Sequence, residues 1–437
     1  MNIGKEKIQI VIVLSALFLL IASILFGAFF MTKQVGKEGG STQQVFEANE
    51  QLVTIDYYTW GDEAFYINAI VEEFNQLHHN IKVNVHLLDT DEYENEILDK
   101  LKTDEKIDVI GARGISKMVQ YKEKGYLYDI TEKIQNSNID VTAYGNMYNN
   151  VSINGRYYGL PTRSTCWVLV YNKEIFDRLN LPYPTKMTWE EYRDLAQRIT
   201  EESNGEFWGG YWIDWIYNFM GIQQSNYLYD DDLQYTKDSL EFLYKLMYED
   251  KSHMTFEEIR FREQDWLNNF EEGTIAMMPQ GEWFVGMIIE NETQGESSID
   301  WDLAPMPIPE GQEDNTTWGQ YQFAGIANRC INKEEAFIFL KYLCGKEGAE
   351  TLAKYGMLSA YTNESIQDLY RLKTGSKNIV VFFDAKRVQE QPVYGAYSDL
   401  TEKFLELSDR YFEKEVSVDD VFDQFIIERE KIIKNYN

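Results

Sequence analysis

The chain has 437 residues and a formal net charge of -31 at pH 7, with aromatic residues at 15%, among them 30 Tyr and 10 Trp. Its length predicts two domains with ample core, and its acidity excludes nucleic acid and anionic membrane surfaces as partners, because no basic stripe is there to neutralise phosphates. So many rings exceed what a core needs, and many are expected to face grooves, where a ring offers an apolar face with a polar tip.

Ile8–Met31 is apolar and free of charge, and Lys5 and Lys7 precede it. At about 20 residues a helix crosses the hydrocarbon core, so residues 1–33 are expected to form a membrane anchor with its N-terminus inside, or else a cleaved export segment. Either way, the chain beyond this segment is expected to be extracytoplasmic. Residues 34–50, rich in Gly, Ser, Gln and Glu, read as a flexible tether. Cys166, Cys330 and Cys344 are odd in number and lack metal-ligand spacing, which predicts buried thiols and no disulfide.

Order is expected from Leu52. Leu52–Tyr58 reads as a strand ending in the turn Thr59-Trp60-Gly61-Asp62, before the helical period of Ala64, Ile67, Ile70, Phe74 and Leu77. Ile81, Val83, Val85 and Leu87 alternate as a second strand. Tyr93, Ile97, Leu98 and Leu101 mark a helix, and Ile107–Ile110 is a short buried strand that breaks at Gly111-Ala112-Arg113-Gly114. Strand, helix, strand, helix, strand predicts a parallel sheet whose ligand edge is the set of turns after its strands, gathering Trp60, Asp62 and Arg113. Neither turn carries a phosphate-cradling glycine pattern, and no cofactor is expected. His78-His79 lacks a third ligand for a metal.

Asp129–Tyr148 reads as polar and helix-like. The hairpin around Asn154-Gly155 leads to Pro161, and a new apolar strand runs over Cys166–Tyr171, so Thr162–Thr165 is expected to cross between domains. Thr188-Trp189-Glu190-Glu191 is a helix start. Gly209-Gly210-Tyr211-Trp212-Ile213-Asp214-Trp215 sets three aromatic side chains and a carboxylate beside two glycines. The run Gly273–Met278 reads as a buried strand that breaks at Pro279 and Gly281 and presents Glu282 and Trp283 to a cleft. Trp301–Pro309 reads as an extended crossing, Trp318–Ala327 comes next, Glu334–Leu343 is a helix, and Gly356–Tyr361 is a third connection.

Tyr158-Gly159-Leu160-Pro161, Val170-Tyr171-Asn172-Lys173-Glu174-Ile175-Phe176, Pro184 with Thr188-Trp189-Glu190-Glu191, Phe270 with Gly273–Met278, and Gly281-Glu282-Trp283 come in a telling order. From Leu52 onward the chain resembles family 1 extracellular solute-binding proteins, the carbohydrate-binding components of ABC importers that include the maltose-binding protein. The resemblance implies a type II periplasmic-binding-protein-like α/β fold. Its two discontinuous lobes would be residues 51–163 with 306–356 and residues 164–305 with 357–437, joined by a three-crossing hinge that closes on a buried sugar. It also implies polar contacts from Trp60, Gly61 and Asp62, from Arg113, and from Arg163–Trp167 with Thr165, and a sugar ring stacked on Trp283. No lipid-accepting Cys stands after the first apolar segment, which leaves the helix itself as the tether.

A sugar ring offers an apolar C–H face and a rim of hydroxyls, so its site pairs aromatic planes with planar donors and acceptors. Glu282 beside Trp283, Asp62 beside Trp60, and Asp214 between Trp212 and Trp215 supply such pairs, and Trp318 and Tyr321 are further candidates. Arg113 and Arg163 are the strong donors. The expected activity is capture of a small sugar or related polyol by a monomer and its delivery to ABC transporter permease subunits, without catalysis. Two alternatives share the sequence features: a tethered sugar receptor feeding a membrane sensor, and an exported glycoside hydrolase using Asp62 and Glu282.

Overall fold

Ile55 and Tyr57 join one apolar cluster of the molecule, and Tyr58 and Trp60, which alternate with them along the same strand, join another. A strand buried on both faces belongs inside a covered sheet. The computed structural model that shows this describes residues 52–436, apart from 104, 146, 147, 150, 263, 264 and 376. The expected anchor (1–33) and tether (34–50) lie outside the described residues, and no described helix is long and apolar enough to cross a membrane.

The described residues hold ten strands. They are β1 (Val53–Trp60), β2 (Ile81–Leu88), β3 (Val109–Ala112), β4 (Leu160–Ser164), β5 (Trp167–Asn172), β6 (Met277–Gly281), β7 (Trp301–Ala304), β8 (Thr316–Gly319), β9 (Tyr321–Ile326) and β10 (Lys386–Gln389). A five-stranded sheet has the order β2-β1-β3-β9-β4, with β1 parallel to β2 and β3, and β9 antiparallel to both β3 and β4. The parallel pairs are the expected ones. Crossover helices α1 (Ala64–Leu77), α2 (Tyr93–Lys102) and α3 (Ile115–Glu123) come after β1, β2 and β3 in turn. Ile67, Ile70 and Phe74 of α1 join the cluster on one face of the sheet, and Ile97 and Leu101 of α2 with Met118 and Val119 of α3 join the cluster on the other.

A second sheet, β6-β5-β7, is antiparallel and has a core of its own. Every residue of its central strand β5 is buried, so the expected apolar run there reflects two covered faces. Pro279, expected to end a strand, lies inside β6 opposite Leu169. An outer strand tolerates the missing N–H, because the ladder needs its donors on one side only. Helix α4 (Trp189–Glu202) starts where predicted. Thr188 accepts from the Glu191 N–H, and the Glu191 carboxylate accepts from the Thr188 N–H at 2.7 Å. Thr188→Ala, which removes half of this reciprocal cap, should cost about 1 kcal/mol of stability in urea unfolding. Among its described residues, Asp129–Tyr148 carries a short helix over Thr131–Gln135 and a 3-10 turn over Val141–Tyr144 in place of a continuous helix, because its polar residues make local side-chain caps instead.

The strands pass from the first sheet to the second and back, and beyond β9 the chain leaves the first sheet once more for helices packed on the second sheet's core. Only Thr165 and Cys166 separate β4 from β5. The return runs from β7 to β9 through β8, which pairs in parallel with β10. The last passage lies beside β4, where Arg163 pairs antiparallel with Ser359 and the Ser164 N–H donates to the Leu358 carbonyl. Residues 307–317 are tied to the second sheet's surroundings, since the Trp189 N–H donates to the Ile308 carbonyl, Gln223 to the Pro307 carbonyl and Thr317 to the Trp167 carbonyl. The three cysteines are buried free thiols.

Candidate functional site

A cavity of 550 Å³ opens between the two sheets, within the roughly 300–1,000 Å³ that small-ligand sites occupy. The first sheet contributes the C-terminal ends of its parallel strands, where an α/β sheet leaves its crevice. Trp60 ends β1, Asp62 and Glu63 come just after it, Thr90 and Asp91 come after β2, and Arg113 and Gly114 after β3. The second sheet's side contributes Trp167 of β5, Trp215 from a turn, and Trp266 at the start of a short helix over Trp266–Glu271. It also brings Trp283, which opens helix α5 (Trp283–Gln294) directly after β6. Arg163, Thr165, Gln320 and Glu390 line the floor beside the passages.

Of the sequence-predicted site residues, Trp60, Asp62, Arg113, Arg163, Thr165, Trp215 and Trp283 line the cavity. Trp60 lies edge-on to Tyr93 at 5.3 Å, and the Arg113 guanidinium sits 5.0 Å over its ring. Arg113 also donates to the Thr90 carbonyl and lies 3.5 Å from Glu94, so its charge is shared before any ligand arrives. Thr165 and Gln320 clasp one another through backbone and hydroxyl, the Gln320 N–H donating to Thr165 Oγ1 at 2.8 Å. Trp283 stands edge-on to Trp167 at 5.3 Å, and Trp215 is 38% exposed.

Four predicted residues do not reach the cavity, and for each the reason is burial among packed partners. Trp212 donates its indole N–H to the Ile216 carbonyl at 2.8 Å and packs 4.4 Å from Phe219. Trp318 is fully buried and stacks at 5.3 Å behind Trp167, which it supports. Tyr321 is buried and donates to the Tyr144 carbonyl. Glu282, expected to meet a ligand, is fully buried and paired with Arg163 instead.

That pair belongs to a charged knot linking the two sheets. Arg163, on β4, donates to Glu282, which comes directly after β6, and faces Glu63 at 3.8 Å and the Tyr66 hydroxyl at 3.3 Å. Tyr66 and Thr59 both donate to Glu63, the Thr59 bond at 2.5 Å. Burial lifts Glu63 and Glu282 above the ordinary carboxylate range, and the Arg163 charge opposes that rise. Burial alone would lower Arg163, but Tyr66, Glu282 and Glu63 outweigh it and hold the guanidinium more firmly charged.

Sequence reasoning missed Glu63, Tyr66, Trp266, Glu390 and Tyr397, all of which line the cavity. Glu390 immediately precedes the break Gln391-Pro392-Val393-Tyr394-Gly395, and a carboxylate at such a break was the available signal. Glu63 and Tyr66 sit where the helical period alone assigns core. The arrangement is a set of indole faces around fixed carboxylate, amide and guanidinium groups. Glu282, buried against Arg163 and absent from the lining, does not join Asp62 as the carboxylate pair that the hydrolase alternative expected.

Residues 60–350 match a family model described as bacterial extracellular solute-binding protein. An arabinooligosaccharide-binding protein of Halalkalibacterium halodurans is 24% identical over 211 residues, covering 45% of this chain and 45% of that protein, so the match spans just under half of the relative. Among solved structures, a sugar transporter of Rhizobium etli in an open conformation superposes with a TM-score of 0.73 at 25% identity, over 86% of this chain and 99% of that one. An ABC substrate-binding protein of Listeria monocytogenes in complex with cycloalternan gives a TM-score of 0.76 at 20% identity, over 88% and 99%.

Proposed function

The chain belongs to the family of bacterial extracellular solute-binding proteins, and we propose that it captures an uncharged carbohydrate in the cavity between its two sheets and hands it to the permease of an ABC transporter. The observation that carries this is the lining: Trp60, Trp167, Trp215, Trp266 and Trp283 offer apolar faces, and carboxylate, amide and guanidinium groups stand between them. C–H faces stack on such rings while hydroxyls reach the rim. The guanidinium groups Arg113 and Arg163 are already engaged by Glu94 and by Glu282 with Glu63, and Lys117, the third basic residue of the lining, stands among the carboxylates Asp62, Glu63, Asp91, Glu94 and Glu390, which favours a neutral ligand over an anionic one. The sugars bound by relatives point the same way.

Residues 51–163 with 306–356 would move as one lobe and residues 164–305 with 357–437 as the other, closing about the three passages. The separate cores on the two sheets support two lobes, although Met306, Trp318 and the stretch between them pack with the second sheet's core and would move with that lobe. The charge-free run Ile8–Met31 supports an extracytoplasmic protein tethered at its N-terminus. Trp283, Trp60, Trp215, Asp62, Arg113, Arg163 and Thr165 are proposed as ligand contacts.

The test is calorimetric titration of residues 52–437 with arabinotriose, maltotriose, tagatose and mannitol, with products monitored by chromatography. Saturable binding of at least one, with tryptophan fluorescence quenched and no product formed, is the expected result. Release of shorter sugars would defeat the proposal in favour of hydrolysis, and silence across the panel would defeat it outright.

A further inference from the structure

We propose that Glu390, together with Gln320, is the specificity-determining acceptor of the site, taking hydrogen bonds from adjacent hydroxyls of the bound sugar in its ionised form; this rests on the sugar-capture reading above. The backbone of Glu390 is fixed at the junction of the sheets. It comes directly after β10, whose residues Val388 and Gln389 pair with Trp318 and Gly319 of β8, and its N–H donates to the Gly319 carbonyl at 2.9 Å. Its side chain lines the cavity floor.

Two donors orient the carboxylate. The Trp167 indole N–H donates to Oε2 at 3.0 Å and the Gln320 amide donates to Oε1 at 3.2 Å. An indole nitrogen only donates, so Oε2 is held as an acceptor, and a carboxylate has about four lone-pair sites, of which two are filled here. The Trp167 ring is itself set by Trp318 stacked behind it and Trp283 at its edge. Gln320 then has an amide oxygen left over, buried and without a protein partner, in a residue that is 8% exposed and lines the cavity. Gly114 makes room for it, since a Cβ there would lie 2.3 Å from that oxygen and 2.8 Å from Gln391 Oε1. Unfilled acceptors side by side, with no protein hydrogen to meet them, call for a ligand presenting neighbouring donors, as a polyol does.

The groups facing the carboxylate do not supply that donor. Glu282 carries like charge, Arg163 is spent on Glu282, and Arg387 on β10 donates to Ser164. The hydroxyl of Tyr397, which opens helix α6 (Tyr397–Phe412), accepts from the Asn218 amide at 3.4 Å and makes no bond to Glu390 among the described residues, and Tyr227 donates to the Gln389 carbonyl. Burial pushes Glu390 up to about 7, against the Trp167 hydrogen bond that favours its charge, and the nearby Glu282 adds to the rise. A sugar that binds the ionised form therefore releases a proton at neutral pH, and affinity should rise roughly tenfold from pH 6 to pH 8 and then level off.

The experiment titrates the same four sugars into the wild type, Glu390→Gln, Gln320→Leu and Asp409→Asn at pH 6, 7 and 8, in two buffers of different ionisation enthalpy. Asp409 is a second carboxyl lifted by burial, to about 6, but it stands on α6 against Tyr217 and Arg260 and not in the cavity. The wild type and Asp409→Asn should bind more tightly at higher pH with proton release. Glu390→Gln should bind at least roughly tenfold more weakly at pH 8 and show no slope, and Gln320→Leu should weaken binding but keep the slope. A flat wild-type profile, or Glu390→Gln with wild-type affinity, overturns the proposal while leaving sugar capture standing. If no panel sugar binds the wild type, capture itself fails and the proposal falls with it. Should Glu390→Gln not fold, the wild-type proton release and the Gln320→Leu affinity decide the matter.

Discussion

Replacing Arg163 by Met is expected to cost about 3–5 kcal/mol of stability, because it strands two buried carboxylates that now share one guanidinium. Glu63 and Glu282 are 4% and 0% exposed, and one comes from each sheet's side of the junction. Both stand above their ordinary value near 4.5 even with Arg163 present, since burial outweighs its charge, and without it they rise further. A carboxyl raised in the fold keeps its proton where the unfolded chain has lost it, so its contribution to stability falls as pH increases through that window. The deficit of Arg163→Met against the wild type should therefore be smallest near pH 4.5 and widen towards pH 8. Adding Glu282→Gln removes one of the stranded charges and should recover part of the loss. Urea unfolding at pH 5 and pH 8 checks this. An equal deficit at both, or a variant as stable as the wild type at pH 8, would show that the knot does not hold the junction.

The first sheet is legible in the sequence because Ile81, Val83, Val85 and Leu87 alternate and Ile67, Ile70 and Phe74 keep a helical period, so period alone separates strand from helix. The rim after its strands is a consequence of topology, which is why Trp60, Asp62 and Arg113 are found together. What periodicity does not carry is direction. Trp212 and Trp215 are three residues apart in one glycine-flanked run, yet one is 1% exposed and the other 38%. The difference lies in a hydrogen bond to Ile216 and in Phe219, and neither is visible before the loop is folded. Glu282 departs from expectation for a related reason. A carboxylate beside a turn reads as solvent-facing until an arginine more than a hundred positions earlier is brought against it by the passage between β4 and β5. Trp318 and Tyr321 belong to a stretch where the chain leaves one sheet and joins the other, and there a ring next to the site is as readily its backing as its lining. Glu390 reaches the floor through β10, a four-residue strand too short and polar to announce itself.

Trp283→Ala is expected to weaken binding of whichever panel sugar the wild type captures by at least roughly 30-fold, about 2 kcal/mol, since a central indole in a cleft carries a disproportionate share of affinity. The ring is partly buried, packs against apolar residues of both sheets and stands at the edge of Trp167. Its position depends on Gly281. A Cβ on Gly281 would lie 2.0–2.4 Å from three atoms of the Trp283 six-membered ring, and the ring would have to swing away. Gly281 does not have a left-handed φ, so Gly281→Ala strains the indole and not the backbone. It should lose affinity to an extent approaching Trp283→Ala while keeping the same tryptophan count. Trp283→Phe retains an apolar plane at the same place and should recover part of the loss. The set is read by calorimetry, with melting temperatures showing that each variant is folded. If Gly281→Ala binds as tightly as the wild type, the ring can move without consequence and Trp283 is a packing residue. If Trp283→Phe is no better than Trp283→Ala, the indole acts through its N–H and not through its face.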